Sequence, residues 1–230
     1  PWIGGRTGPE AGGWTPVAPS AVPYAEGDVV PAALDATGLA RVRDAFVAAA
    51  IRARRAGIDA LEVHMAHGYL LHEFLSPLSN ARADAYGGTP EGRMRFPLEV
   101  FDAVRAAFPA DRPVGVRVSA TDWVEGGWAL ADSIALAQAL KARGCDWIDV
   151  SSAGISPAQK IETGPGLHVP FARAIRAATG LPTIVVFGYA TFYAMSAWLY
   201  DMGDNRAKQF KVLGTLAAIV EALRGAAGRP

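Results

Sequence analysis

The chain has 230 residues, 51% hydrophobic and 19% charged, enough to bury a core in one domain or at most two. Its 22 basic residues balance its 22 acidic ones, which argues against a nucleic-acid binder, a polybasic membrane-surface protein and a disordered acidic tail. A single cysteine, Cys145, excludes an internal disulfide framework and any multi-cysteine zinc site.

No charged segment followed by an apolar run opens the chain, so no signal peptide is expected and a cytoplasmic location is. The missing initiator methionine suggests a piece of something longer. Residues 1–36 carry Gly4-Gly5, Gly12-Gly13 and six prolines, a density of breakers that predicts loop or short hairpin. The segment is either a surface excursion or the rim of an active site. Thr37 is the expected cap of a helix running toward Arg55, with Leu39, Val42, Phe46 and Ala50 on one face and Gly57 as its stop. Residues 58–64 read as a strand. Pro90 opens a second helix that ends near Phe108. Residues 113–119 are a second strand, 129–143 a third helix stopped by Gly144, and 145–151 a third strand. A fourth helix over 168–179 ends at Gly180, and residues 181–187 form a fourth strand.

Strict alternation of strand and helix means parallel pairing with right-handed crossovers. No Gly-x-Gly-x-x-Gly follows a strand, and polar residues (His64, Ser119, Ser151 and Ser152) gather where strands end, which favours the (β/α)₈ barrel over the open dinucleotide-binding sheet. Strands begin near 58, 113, 145 and 181, so four units are visible where a barrel of about 250 residues has eight. The α/β, TIM-barrel-type fold is therefore expected to be incomplete. It divides into a loop-rich segment 1–36, a βα-repeat core 37–188 and a helical C-terminal segment 189–230. Residues 184–200 are uncharged and aromatic. They fit a buried strand and helix better than a membrane span, which needs about 20 apolar residues. Residues 207–224 show an amphipathic helical stripe.

The densest chemistry is Glu62-Val-His64-Met-Ala-His67-Gly-Tyr69. Two imidazoles there suit a carbonyl or phenolate oxygen, because their N–H groups stabilise charge growing on it. The Tyr69 hydroxyl is a competent proton donor to an enolate. The competing reading is a metal-dependent hydrolase, with His64 and His67 joined by Glu62, His72 or Glu73. The plainest reading is histidines that bond neighbouring backbone. Arg117 stands inside an apolar strand, where a charge needs a partner. It invites an anionic ligand, an internal salt bridge, for example with Glu62 on the neighbouring strand, or both.

His64-Met-Ala-His67-Gly-Tyr69, Phe74-Leu-Ser-Pro-Leu-Ser-Asn80, Arg82, Asp84, Tyr86-Gly-Gly88, Arg93-x-Arg95-Phe96 and Arg117-Val-Ser-Ala-Thr-Asp122 together resemble the old yellow enzyme family, in its NADH:flavin oxidoreductase/NADH oxidase branch. The resemblance runs from about residue 14 to 186. It implies a TIM barrel that holds FMN at its mouth and passes hydride from NAD(P)H through the flavin to an activated alkene, such as an α,β-unsaturated carbonyl. It implies that His64 and His67, with Met65 and Ala66 between them, bind the substrate, that Tyr69 donates the proton, and that Arg117 and Gly188 contact the flavin. No metal is implied. The family's early strands and its final Gly-Arg phosphate-binding element are missing, and residues 187–230 do not resemble its end. A truncated remnant, or a fragment that only associates through its exposed parallel edge into a homo-oligomer, are the alternatives.

Overall fold

The computed structural model describes residues 8–185. After a 3₁₀ turn at Pro9–Ala11, strand β1 (Val17–Ala18) pairs with β2 (Ala32–Ala33). The pair is parallel, so of the loop or short hairpin expected in this segment, β1 and β2 do not form the hairpin. The chain between the two strands must loop out and return before it can pair in the same direction.

Helix α1 (Ala36–Arg55) is capped by Asp35, whose Oδ1 accepts the Gly38 N–H at 2.7 Å. The cap thus lies two residues before Thr37, because a carboxylate in extended backbone reaches the third helical N–H and also complements the helix dipole. Strand β3 (Leu61–Met65) follows, then a one-and-a-half-turn helix α2 (Leu70–Leu75). Helix α3 (Pro90–Ala107) starts at Thr89, whose hydroxyl accepts the Gly92 N–H, with Pro90 in the first turn where its missing N–H costs nothing. Strand β4 (Val114–Ser119), helix α4 (Leu130–Lys141), strand β5 (Ile148–Ser151), helix α5 (Val169–Thr179) and strand β6 (Thr183–Val185) complete the described chain.

Strands β3, β4, β5 and β6 lie side by side in that order, all parallel. Period two splits their side chains. Val63 and Met65, Val114, Val116 and Val118, and Ile148 and Val150 face the helices, where Phe101, Val104, Leu136, Leu140 and Ile175 are buried against them. Each such side chain contributes about 1.5–3 kcal/mol by leaving water. The other face carries Glu62 and His64, then Gly115, Arg117 and Ser119, then Trp147, Asp149 and Ser151. Four consecutive parallel strands joined by helical crossovers, three of them with this two-sided pattern, are part of a (β/α)₈ barrel, and the polar face is its interior. Among the described residues no helix is long and apolar enough to cross a membrane. Gly188, the expected helix over 207–224 and the whole 189–230 segment lie outside the described residues.

Candidate active site

The C-terminal ends of β3, β4 and β5 converge on one point. His64 is the fourth residue of β3 and stands directly opposite Arg117 of β4 in the strand register. His67 and Tyr69 follow in the loop between β3 and α2. The His64 ring centroid lies 5.2 Å from that of His67 and 5.3 Å from that of Tyr69, with an edge-on contact to the phenol. Tyr69 is 65% exposed, so its hydroxyl group is within reach of solvent. Thus His64, His67, Tyr69 and Arg117 occupy one rim. Met65 and Ala66, expected beside them at the substrate, are fully buried, and Met65 belongs to the core between sheet and helices. Alternation dictates this for Met65, since the strand residue next to the inward His64 points to the opposite face.

The loop that presents His67 is locked by its neighbours. His67 itself has φ 59°, and Gly68 follows at φ 73°. The His67 N–H donates to Ser119 Oγ at 3.0 Å, and Ser119 donates on to the Ala153 carbonyl at 2.8 Å. A Cβ on Gly68 would lie 2.1 Å from the Gly154 carbonyl oxygen, so the loops after β3 and β5 touch backbone to backbone. Beneath them, the Gly68 N–H donates to His72 Nδ1 at 2.9 Å, and His72 Nε2 meets Asp122 Oδ1 at 2.9 Å. Because Nδ1 accepts, the proton sits on Nε2 and is donated to the carboxylate. Asp122 Oδ2 also accepts from Ser76 Oγ at 2.6 Å and from the Trp128 N–H at 2.7 Å. His72 is therefore a buried brace and is turned away from the rim. Among the described residues, no three His, Cys, Asp or Glu side chains converge as metal ligands.

Burial and a nearby charge favour the neutral form of both rim imidazoles. Burial, reinforced by the Arg117 charge, lowers the His67 pKa to about 4, and the same two causes lower that of His64. A neutral imidazole offers one N–H donor and one acceptor. Arg117 does not pair with Glu62, as the sequence led us to expect. The register sets Glu62 opposite Gly115, and the Arg117 Nε–Asp149 Oδ2 distance is 3.5 Å. Glu62 instead accepts from Trp147 Nε1 at 3.0 Å. The indole crosses β4 where Gly115 has no side chain, and a Cβ there would lie 2.0 Å from the ring. Asp149 was not singled out by sequence reasoning, although the alternation Trp147, Asp149, Ser151 in β5 carries the signal. Arg117 Nε and Asp149 Oδ1 are buried and make no hydrogen bond. A cleft of about 760 Å³ beside Phe108 and Asp146 lies at the opposite end of the sheet, away from this chemistry.

The rest of the recognisable motif holds the scaffold. Asn80 donates to the Phe74 and Tyr86 carbonyls, and Arg93 to those of Leu75 and Gly88. Arg82 pairs with Asp84 and reaches the Pro19 and Leu34 carbonyls, which ties the N-terminal segment to the loop after α2. Val22, Pro23 and Tyr24 then line a small cleft with Gly68 and Ile155. The segment therefore borders the loop that carries the site.

Residues 6–196 match the model of the NADH:flavin oxidoreductase / NADH oxidase family. The chain belongs to that family. It is 43% identical over 202 residues to an NADH:flavin oxidoreductase of Gibberella zeae, covering 80% of this chain and 49% of that protein. It is 45% identical over 167 residues to an NADPH dehydrogenase of Geobacillus thermodenitrificans, covering 73% of this chain and 48% of the other. Among solved structures, morphinone reductase in complex with tetrahydroNAD superposes with a TM-score of 0.60 at 32% identity, over 76% of this chain and 50% of that one. The chain thus spans about half the length of the family members it matches.

Proposed function

We propose that this chain carries the substrate-binding and proton-donating part of an FMN-dependent NAD(P)H oxidoreductase of the ene-reductase type. The observation that supports this most is the shared rim: two imidazoles whose neutral form is favoured, an exposed phenol and a guanidinium at the ends of two adjacent strands, β3 and β4. The donor set fits a flavin. Arg117 offers a fixed positive charge, and its buried Nε–H, 3.5 Å from Asp149 Oδ2, makes no hydrogen bond among the described residues, which suits the electron-rich pyrimidine edge of a reduced isoalloxazine. The chemistry that FMN supplies when bound is hydride transfer from NAD(P)H to the β-carbon of an activated alkene. Gly188 is a further proposed flavin contact.

His64 and His67 hold the carbonyl oxygen of an α,β-unsaturated substrate by two N–H donors. These bonds strengthen as negative charge grows on the oxygen, a contribution on the order of 3 kcal/mol to the transition state. Tyr69 delivers its hydroxyl proton to the α-carbon, and its exposure lets solvent return the proton afterwards. Hydride and proton together balance a two-electron reduction of the double bond.

Tyr69→Phe tests the assignment. In flavin-loaded protein, alkene reduction is expected to fall about 10²- to 10⁴-fold while flavin reduction by NAD(P)H changes little. Stopped-flow traces of the two half-reactions separate them. Equal losses in both would contradict the proton-donor role.

A further inference from the structure

We infer that Ser151 is a positioning residue that selects which nitrogen of His67 carries the proton: its hydroxyl donates to His67 Nε2 and leaves Nδ1–H as the donor offered to a substrate oxygen. The inference rests on the ene-reductase reading for its purpose, but its geometry stands apart from that reading. Ser119 and Ser151 face each other across the β4–β5 register and grip His67 at two points. Ser119 takes the main-chain N–H, and Ser151 Oγ lies 2.7 Å from the ring Nε2.

The direction of the second bond follows from counting protons. Ser119 already donates to the Ala153 carbonyl, so its own hydroxyl hydrogen is satisfied. Ser151 is 5% exposed, and among the described residues His67 Nε2 is the only group that hydrogen-bonds to its Oγ. Were Nε2–H the donor, the serine hydroxyl hydrogen would be buried with no acceptor, at a cost of about 1–3 kcal/mol. With serine as donor that hydrogen is satisfied and the imidazole proton must sit on Nδ1. His67 is held neutral by burial and by Arg117, so it has one N–H to place. The opposite tautomer would turn a lone pair toward a substrate oxygen, where it repels instead of donating. A hydrogen bond at one ring nitrogen thus decides the chemistry at the other, as it does for metal-bound histidines.

The test reads the tautomer directly. The chain has four histidines, so ¹⁵N-histidine labelling gives a tractable spectrum, and loss of one signal set in His67→Gln identifies His67. Near pH 7.5, wild-type His67 is expected in the Nδ1–H form. Ser151→Ala should move it toward the Nε2–H form that a free imidazole side chain favours, and Ser151→Thr, which keeps the hydroxyl group, should retain Nδ1–H. An Nε2–H wild type, or an unchanged Nδ1–H form in Ser151→Ala, would overturn the inference. If Ser151→Ala does not fold, the wild-type and Ser151→Thr spectra decide it. The spectrum is read whether or not flavin is bound. A chain that binds no FMN would therefore overturn the ene-reductase reading and leave this one to its own result.

Discussion

Asp149 sits between two opposing influences. Arg117 stands opposite it in the sheet and draws its pKa down, while burial, the larger effect, and the Glu62 carboxylate push it up. Burial and Glu62 win, and the pKa rises from 3.8 to about 6. A carboxyl group raised on folding favours the proton-bound native state. Its contribution is full below about pH 4 and is lost as pH rises through about 6. Asn mimics the protonated form, so the stability of Asp149→Asn relative to wild type should increase between pH 4 and pH 7.5. Urea unfolding at a series of pH values measures that difference, and a gap that does not vary with pH would contradict the assignment. At this scale the sequence revealed which residues were unusual but not how they pair. A lone arginine in an apolar strand announces a partner. Choosing Asp149 over Glu62 needs the register, which no single strand encodes.

The regular elements were legible because their periods are long. Leu39, Val42 and Phe46 on α1, and the glycine that ends α5, are local signals, and the strands between them are short runs of β-branched residues. Helix α2 was missed because six residues are too few for a helical period to show. The β1–β2 pair was misread because two-residue strands carry no alternation, and proline-rich sequence says where a chain turns without saying what it pairs with. The interlock of the two site loops was equally hidden. Gly154 has φ 103°, and a Cβ there would come within 2.5 Å of the His67 backbone. Gly154→Ala should therefore combine backbone strain with a clash that no rotamer relieves, and lose about 2–4 kcal/mol of stability. Urea denaturation checks this, and a loss well under 1 kcal/mol would show that the loops are not held by this contact.

Across the whole molecule, the half-barrel reading came from counting. Four strand starts in a chain of this length leave no room for eight units, and the aligned part covers only about half of the family members it matches. The site was legible for the same reason as the fold: parallel barrels carry chemistry at the strand C-termini, and this chain's unusual polar residues fall there. Its supports were not, since Asp122 meets His72 across 50 residues, and Ser119 and Ser151 meet His67 across 52 and 84. The central claim is that His64, His67 and Arg117 face one bound flavin. Visible absorbance of the purified 230-residue chain, saturated with FMN and then desalted, tests it most directly. A flavin band is expected to be retained, released on denaturation and weakened in Arg117→Met. A colourless protein that stays apo even after incubation with excess FMN would contradict it.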